Sequence, residues 1–134
     1  MADRLKAKIL VIDDETAILN ALQIFLEQEG YKVEAVSSYQ GYLDGLSKKE
    51  LPDLIILDIL LMEEDGRAVA KLLKAKAATK HIPIIMISAH PTANKTALRS
   101  GADAFLAKPF EVDVLIETIE RLNRSSRPKS KSLG

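Results

Sequence analysis

The sequence contains no cysteine. A disulfide framework, a zinc–thiolate centre and a cysteine nucleophile are thereby excluded. Two histidines do not suffice for a histidine-rich metal centre. Neither sign of charge is in excess: 19 basic side chains stand against 19 acidic ones in 134 residues. Dedicated binders of nucleic acid carry a basic surplus, so that class is not expected. No apolar stretch approaches the roughly 20 residues that span a bilayer. The opening Met1–Lys8 is polar and lacks the apolar core of a signal peptide. The expectation is a cytoplasmic chain with no membrane partner. No Gly-x-Gly-x-x-Gly or Gly-x-x-x-x-Gly-Lys loop occurs, so nucleotide-binding folds of those types are not indicated.

What is present is a regular alternation. Three continuous apolar runs, Ile9–Ile12, Leu54–Leu57 and Ile84–Ile87, read as strands covered on both faces. Ala104–Ala107 is a weaker fourth run, and Tyr31–Val36 alternates apolar with polar residues. Between them, helical spacing appears. Ile18, Leu22, Phe25 and Leu26 share one helix face, and Gly30 closes that helix. Val69, Leu72 and Leu73 mark a third-interval helix, and Val112, Leu115, Ile116, Ile119 and Leu122 mark the last. The intervals Tyr39–Lys49 and Thr92–Ser100 carry weaker helical signals. Five strand–helix units predict an α/β fold, one doubly wound (βα)5 domain with a parallel five-stranded sheet and right-handed crossovers. The domain is expected over residues 1–124, where 16 basic side chains meet 19 acidic ones. Residues 125–134, polar and rich in Pro, Ser and Lys, read as a disordered basic tail or linker.

Ligands of open parallel sheets bind beyond the carboxyl ends of the strands. The residues that follow the apolar runs are Asp13 and Asp14, Asp58, Ser88, and Lys108 with Pro109. Three carboxylates on one edge would repel one another. A hard divalent cation relieves that repulsion, and an all-oxygen set points to Mg²⁺. An aspartate beside Mg²⁺ can act as a nucleophile towards a phosphoryl group, while a lysine and a hydroxyl stabilise the transferring oxygens.

With these residues in this order, the segments Ile9–Glu15, Pro52–Gly66 and Gly101–Phe110 resemble the receiver domain of two-component response regulators. The resemblance runs from about Lys8 to Asn123. It implies a flavodoxin-like sheet in the order 2-1-3-4-5. It implies Asp58 as phosphoacceptor, and Mg²⁺ held by Asp13, Asp14, Asp58 and the backbone carbonyl of Leu60. Ser88 would be the switch hydroxyl, Lys108 the phosphoryl-binding lysine, Phe105 the aromatic switch, and Lys108–Pro109 a cis peptide. The implied partners are a histidine kinase or phosphotransfer protein upstream and a protein partner or output domain downstream. Self-association through the fourth-helix side is a further implied contact. The chain would then be a signalling switch and not a conventional enzyme.

Some positions depart from the family pattern. Met62 stands where a proline is common, followed by Glu63-Glu64-Asp65, although Gly66 keeps its place. The stretch from Ser88 to Lys108 is somewhat short, which predicts a short or irregular fourth helix. Leu60 and His90 flank the acceptor, where side chains influence the approach of water, and an apolar Leu60 is expected to slow hydrolysis of the phosphate. Two other readings stand beside the phosphorylated switch. One is a docking module that works without phosphorylation. The other is a Mg²⁺-dependent phosphohydrolase, which would want an acid two residues after the nucleophile, where this sequence has Leu60. Asp13 and Asp14 could also simply cap the first helix.

Overall fold

The computed structural model describes residues 7–44, 50–90 and 93–126. The chain alternates β1 (Lys8–Ile12), α1 (Thr16–Gln28), β2 (Lys32–Val36), α2 (Tyr39–Asp44), β3 (Leu54–Asp58), α3 (Gly66–Ala75), β4 (Ile84–Ser88), α4 (Asn94–Arg99), β5 (Ala104–Ala107) and α5 (Val112–Ser126). All strand pairs are parallel, and the sheet order is β2-β1-β3-β4-β5. This is the predicted doubly wound, flavodoxin-like order.

The three continuous apolar runs became the three central strands because both of their faces are covered. Leu10, Ile12, Ile55, Leu57, Ile84 and Met86 point to one core with Val69 and Leu73 of α3. Ile9, Val11, Leu54, Ile56, Ile85 and Ile87 point to the other, with Leu22 and Leu26 of α1 and Leu115 and Ile119 of α5. Strand side chains alternate faces, so one apolar run serves two cores. Each such buried aliphatic contributes about 1.5–3 kcal/mol relative to exposure. The edge strands β2 and β5 are only half-buried, which matches their weaker sequence signal.

Helix ends follow local chemistry. Gly30 closes α1 at φ 98°, the left-handed region that favours glycine. Its N–H reaches Glu27 O and that of Tyr31 reaches Leu26 O, which satisfies two terminal carbonyls. Gly101 ends α4 in the same way at φ 108°. The six residues of α4 agree with the expected short fourth helix. Leu72 departs from expectation: it is exposed, and Ala70 joins Val69 and Leu73 in the core. A spacing of three or four residues is met by more than one side chain per turn, and only the packing decides which is covered. The expected second helix is described to Asp44, and Gly45 to Lys49 lie outside the described residues, as does Thr92. Helix α5 continues through Ser126, and the tail from Arg127 lies outside the described residues.

Gly66 sits where the β3–α3 loop returns to the sheet. Its N–H donates to Ile59 O at 2.8 Å. A Cβ there would collide with the Asp58 carbonyl oxygen and lie 2.8 Å from Ile59 Cα, both backbone atoms. Gly66→Ala is therefore expected to destabilise the fold by roughly 1–3 kcal/mol, the cost of overpacking against atoms that cannot yield. Gly41→Ala, whose Cβ would meet only the Ser38 hydroxyl, is expected to be neutral or slightly stabilising. Urea unfolding midpoints of the two variants check the contrast.

Candidate functional site

The carboxyl ends of β1, β3, β4 and β5 meet at one edge of the sheet. Asp58 is the last residue of β3 and Ser88 the last of β4, while Asp13 and Lys108 directly follow β1 and β5. Asp13 is fully buried, and Asp58 and Ser88 nearly so. One oxygen from each of Asp13, Asp14 and Asp58 lies within 4.8 Å of the others. Lys108 reaches into this group. Its Nζ is 3.2 Å from Asp58 Oδ2, 3.0 Å from Asp13 Oδ2 and 2.8 Å from Glu15 Oε1. The contact with Asp13 Oδ2 is ionic without hydrogen-bond alignment, so that buried oxygen has no hydrogen-bond donor among the described residues.

The backbone holds these groups in place. Lys108 N–H donates to the Ser88 carbonyl at 2.7 Å, tying the ends of β4 and β5 together. The Lys108–Pro109 peptide is cis, as expected. Leu60 N–H donates to Asp58 Oδ1 at 3.2 Å, and His90 N–H donates to Ser88 Oγ at 3.0 Å. Asp13 Oδ1 accepts from Glu15 N–H at 2.9 Å. Helix α1 starts after Glu15 without a side-chain cap, so the acidic pair does not cap it. Phe105 is half-buried against the core beneath α3 and α4.

The sequence profile described as "Response regulator receiver domain" matches residues 9–120. The chain belongs to the response regulator receiver domain family. This receiver is 37% identical over 120 residues to the DNA-binding dual master transcriptional regulator RpaA of Synechocystis, covering 87% of this chain and 49% of that regulator. It is 33% identical to the phosphate regulon transcriptional regulatory protein PhoB of Klebsiella pneumoniae, covering 90% of this chain and 53% of the relative. The chain thus spans about half the length of these curated relatives. Among solved structures, the signal receiver domain of a signal transduction histidine kinase from Syntrophus aciditrophicus superposes with a TM-score of 0.80 at 33% identity, covering 90% of this chain and 92% of that one. The family is that of two-component phosphorelay signalling, and the relatives named are signalling proteins. Among the described residues, no helix is long and apolar enough to cross a membrane.

The electrostatics of the receiver site follow from its burial. Desolvation pushes the Asp58 carboxyl up from 3.8 to about 6, and the neighbouring Asp13 charge adds to that; Lys108 opposes both. Burial disfavours the Lys108 ammonium, but its hydrogen bond to Glu15 and the close charges of Asp13 and Asp58 outweigh this and hold it above the ordinary lysine range. The arrangement suits a hard cation. The donors are all oxygen, three carboxylates face one point, and Asp13 Oδ2 lacks a hydrogen-bond donor.

Two acids were not singled out by sequence reasoning. Glu15 makes the shortest contact to Lys108. Its signal was available, since it follows Asp13-Asp14 in the same turn. Glu64 accepts from Tyr39 N–H at 2.8 Å and Gln40 N–H at 3.0 Å, joining the β3–α3 loop to the start of α2. Nothing local announces that contact.

A raised carboxyl pKa makes stability fall as pH rises, because the folded chain holds a proton that the unfolded chain has released. The Asp58 contribution is fully present below pH 3.8 and lost by about pH 6. In EDTA, Asp58→Asn is therefore expected to be more stable than the parent near neutral pH, by up to about 2–3 kcal/mol. That advantage should shrink as the pH is lowered through this window. Denaturant melts of both proteins across the range check it.

Proposed function

We propose that Asp58 accepts a phosphoryl group from a phosphohistidine of a histidine kinase or phosphotransfer protein. The observation that carries this reading is the cluster of Asp13, Asp14 and Asp58 at the carboxyl edge of the sheet, with Lys108 Nζ against Asp13 and Asp58. An Asp58 oxygen attacks phosphorus while the N–P bond of the donor breaks. The imidazole leaves with the electron pair and takes up a proton. Lys108 Nζ, 3.2 Å from Asp58 Oδ2, exchanges part of that contact for a phosphoryl oxygen. Ser88 Oγ accepts from His90 N–H, which leaves its own O–H to donate to a second phosphoryl oxygen. Mg²⁺, held by Asp13, Asp14, Asp58 and the Leu60 carbonyl, would neutralise charge on the transferring group. The donor's approach runs along an open groove of about 500 Å³ beside Lys108, walled by Ile18, Leu22, Pro109 and Phe110.

The same step biases a two-state element. When Ser88 moves to the phosphoryl group, Phe105 turns into the space left, and the face of α4, β5 and α5 changes. A downstream domain or partner protein reads that face. Phe105 lacks a hydroxyl, so its inward state leaves no polar atom unpaired. The chemistry is one phosphorylation per cycle rather than turnover. Leu60 stands where a phosphohydrolase would need its acid, and the complete acid–lysine set gives a docking-only module no advantage.

Intact-mass spectrometry after incubation with acetyl phosphate tests the reading. One phosphoryl adduct is expected with Mg²⁺ and none with EDTA or in Asp58→Asn. An adduct that persists in Asp58→Asn would overturn the assignment. Leu60 is half-exposed, two residues after the acceptor, and its backbone N–H is bonded to Asp58 Oδ1. Leu60→Asn is expected to shorten the lifetime of the phosphorylated state, read as decay of the same adduct; an unchanged lifetime would remove Leu60 from that role.

A further inference from the structure

Away from the carboxyl edge, α3 and α4 form the walls of an open groove of about 370 Å³. Helix α3 supplies Arg67, Ala68 and Lys71, α4 supplies Thr96 and Arg99, and Ser100 directly follows α4. These are helical neighbours at spacings of three and four, so each set faces one way. Three cations line the groove against a single carboxylate, Asp65. Asp65 is already engaged by Arg67, at 2.9 Å to Nη2 and 3.0 Å to Nε. The next acid, Asp103, is engaged by Lys74 at 3.1 Å.

Lys71 and Arg99 are exposed, and neither makes a hydrogen bond or ion pair among the described residues. Two cations without a hydrogen bond or close ion pair therefore share one concavity, with Lys71 also feeling the charge of Asp65, on a chain whose formal net charge is zero. The floor is not hydrogen-bonding capacity waiting for a small ion. The Thr96 hydroxyl donates to Ala93 O, and that of Ser100 donates to Thr96 O. The aliphatic stems of Lys71 and Arg99 with Ala68 instead offer apolar walls that can cover methylene groups.

We infer that this groove between α3 and α4 is a docking site for an acidic segment of a partner protein, whose carboxylates pair with Lys71 and Arg99. Glutamate fits both properties: its methylenes lie against the stems and its carboxylate meets a guanidinium in two-point geometry. A nucleic-acid strand fits less well. Asp65 stands within the groove and would repel a continuous run of phosphates, and the chain has no basic surplus to draw one in. The site is separate from Asp58 chemistry, so it serves recognition whether or not the phosphoacceptor reads as proposed.

The probe is a glutamate hexamer titrated at low salt into the ¹⁵N-labelled full chain, followed by amide shifts. Saturable shifts are expected at residues 67–71 and 96–100, and they should weaken as salt rises. Lys71→Gln combined with Arg99→Gln is expected to weaken binding by about tenfold. The charge-matched control, Lys32→Gln with Lys80→Gln, should leave affinity within about twofold, since both lysines lie off the groove. Spectra of the free variants confirm that they are folded. Absence of shifts at α3 and α4 overturns the inference. So does equal weakening by both variant pairs, which would reduce the effect to net charge. A single-stranded oligonucleotide of matched charge that binds the same amides more tightly would overturn the acidic-protein assignment.

Discussion

The structure turns on Lys108. Two carboxylates, Asp13 and Asp58, are buried side by side, an arrangement that desolvation and mutual repulsion both oppose. The Lys108 ammonium lies about 3 Å from each of them and bonds Glu15 on its outer side. Its backbone is tied to the end of β4 through Ser88. One residue after β5 thereby compensates charges that belong to β1 and β3. The unrelieved remainder shows in the raised Asp58 pKa.

That edge can hold charge because the middle of the sheet is aliphatic. The three central strands bury aliphatic side chains on both faces, so their backbones are held in fixed register. Asp58 pairs in register with Ile87, and Ser88 with Ala107. Asp58 and Ser88 are thus placed by strands, Asp13 and Lys108 by the first residue beyond a strand, and the packing of the core holds them together. The loops carry what is particular to this chain. Gly66 allows the β3–α3 loop to lie against the Asp58 backbone. Glu64 carries the same loop to α2, and Met62 stays exposed. The acceptor loop and the second helix therefore share a hydrogen-bonded link through Glu64.

Much of this was legible in the residue order. Continuous apolar runs mean strands covered twice, and a residue that ends such a run stands at the carboxyl edge. Asp13, Asp58, Ser88 and Lys108 could be placed together on that rule alone, and the structure brings them together. Gly30 marked a helix end because glycine adopts positive φ with little strain. The weaker elements were less legible for a physical reason. Edge strands bury one flank, and α2 and α4 are six residues each, so each displays too few periods to stand out.

By itself, the sequence determined the strand–helix alternation, the parallel sheet and the identity of the acids, hydroxyl and lysine at its edge. Those follow from periodicity and position, which are local properties of a chain. Tertiary structure alone decided that Lys108 contacts Glu15 as well as the buried pair, that Glu64 binds the start of α2, and that Leu72 faces outward while Ala70 packs inward. It also decided that Lys71 and Arg99, on different helices, line one groove whose one acid, Asp65, is bonded to Arg67. Each of these depends on how separate elements are set against one another, and distance between elements is written in their packing rather than in their order along the chain.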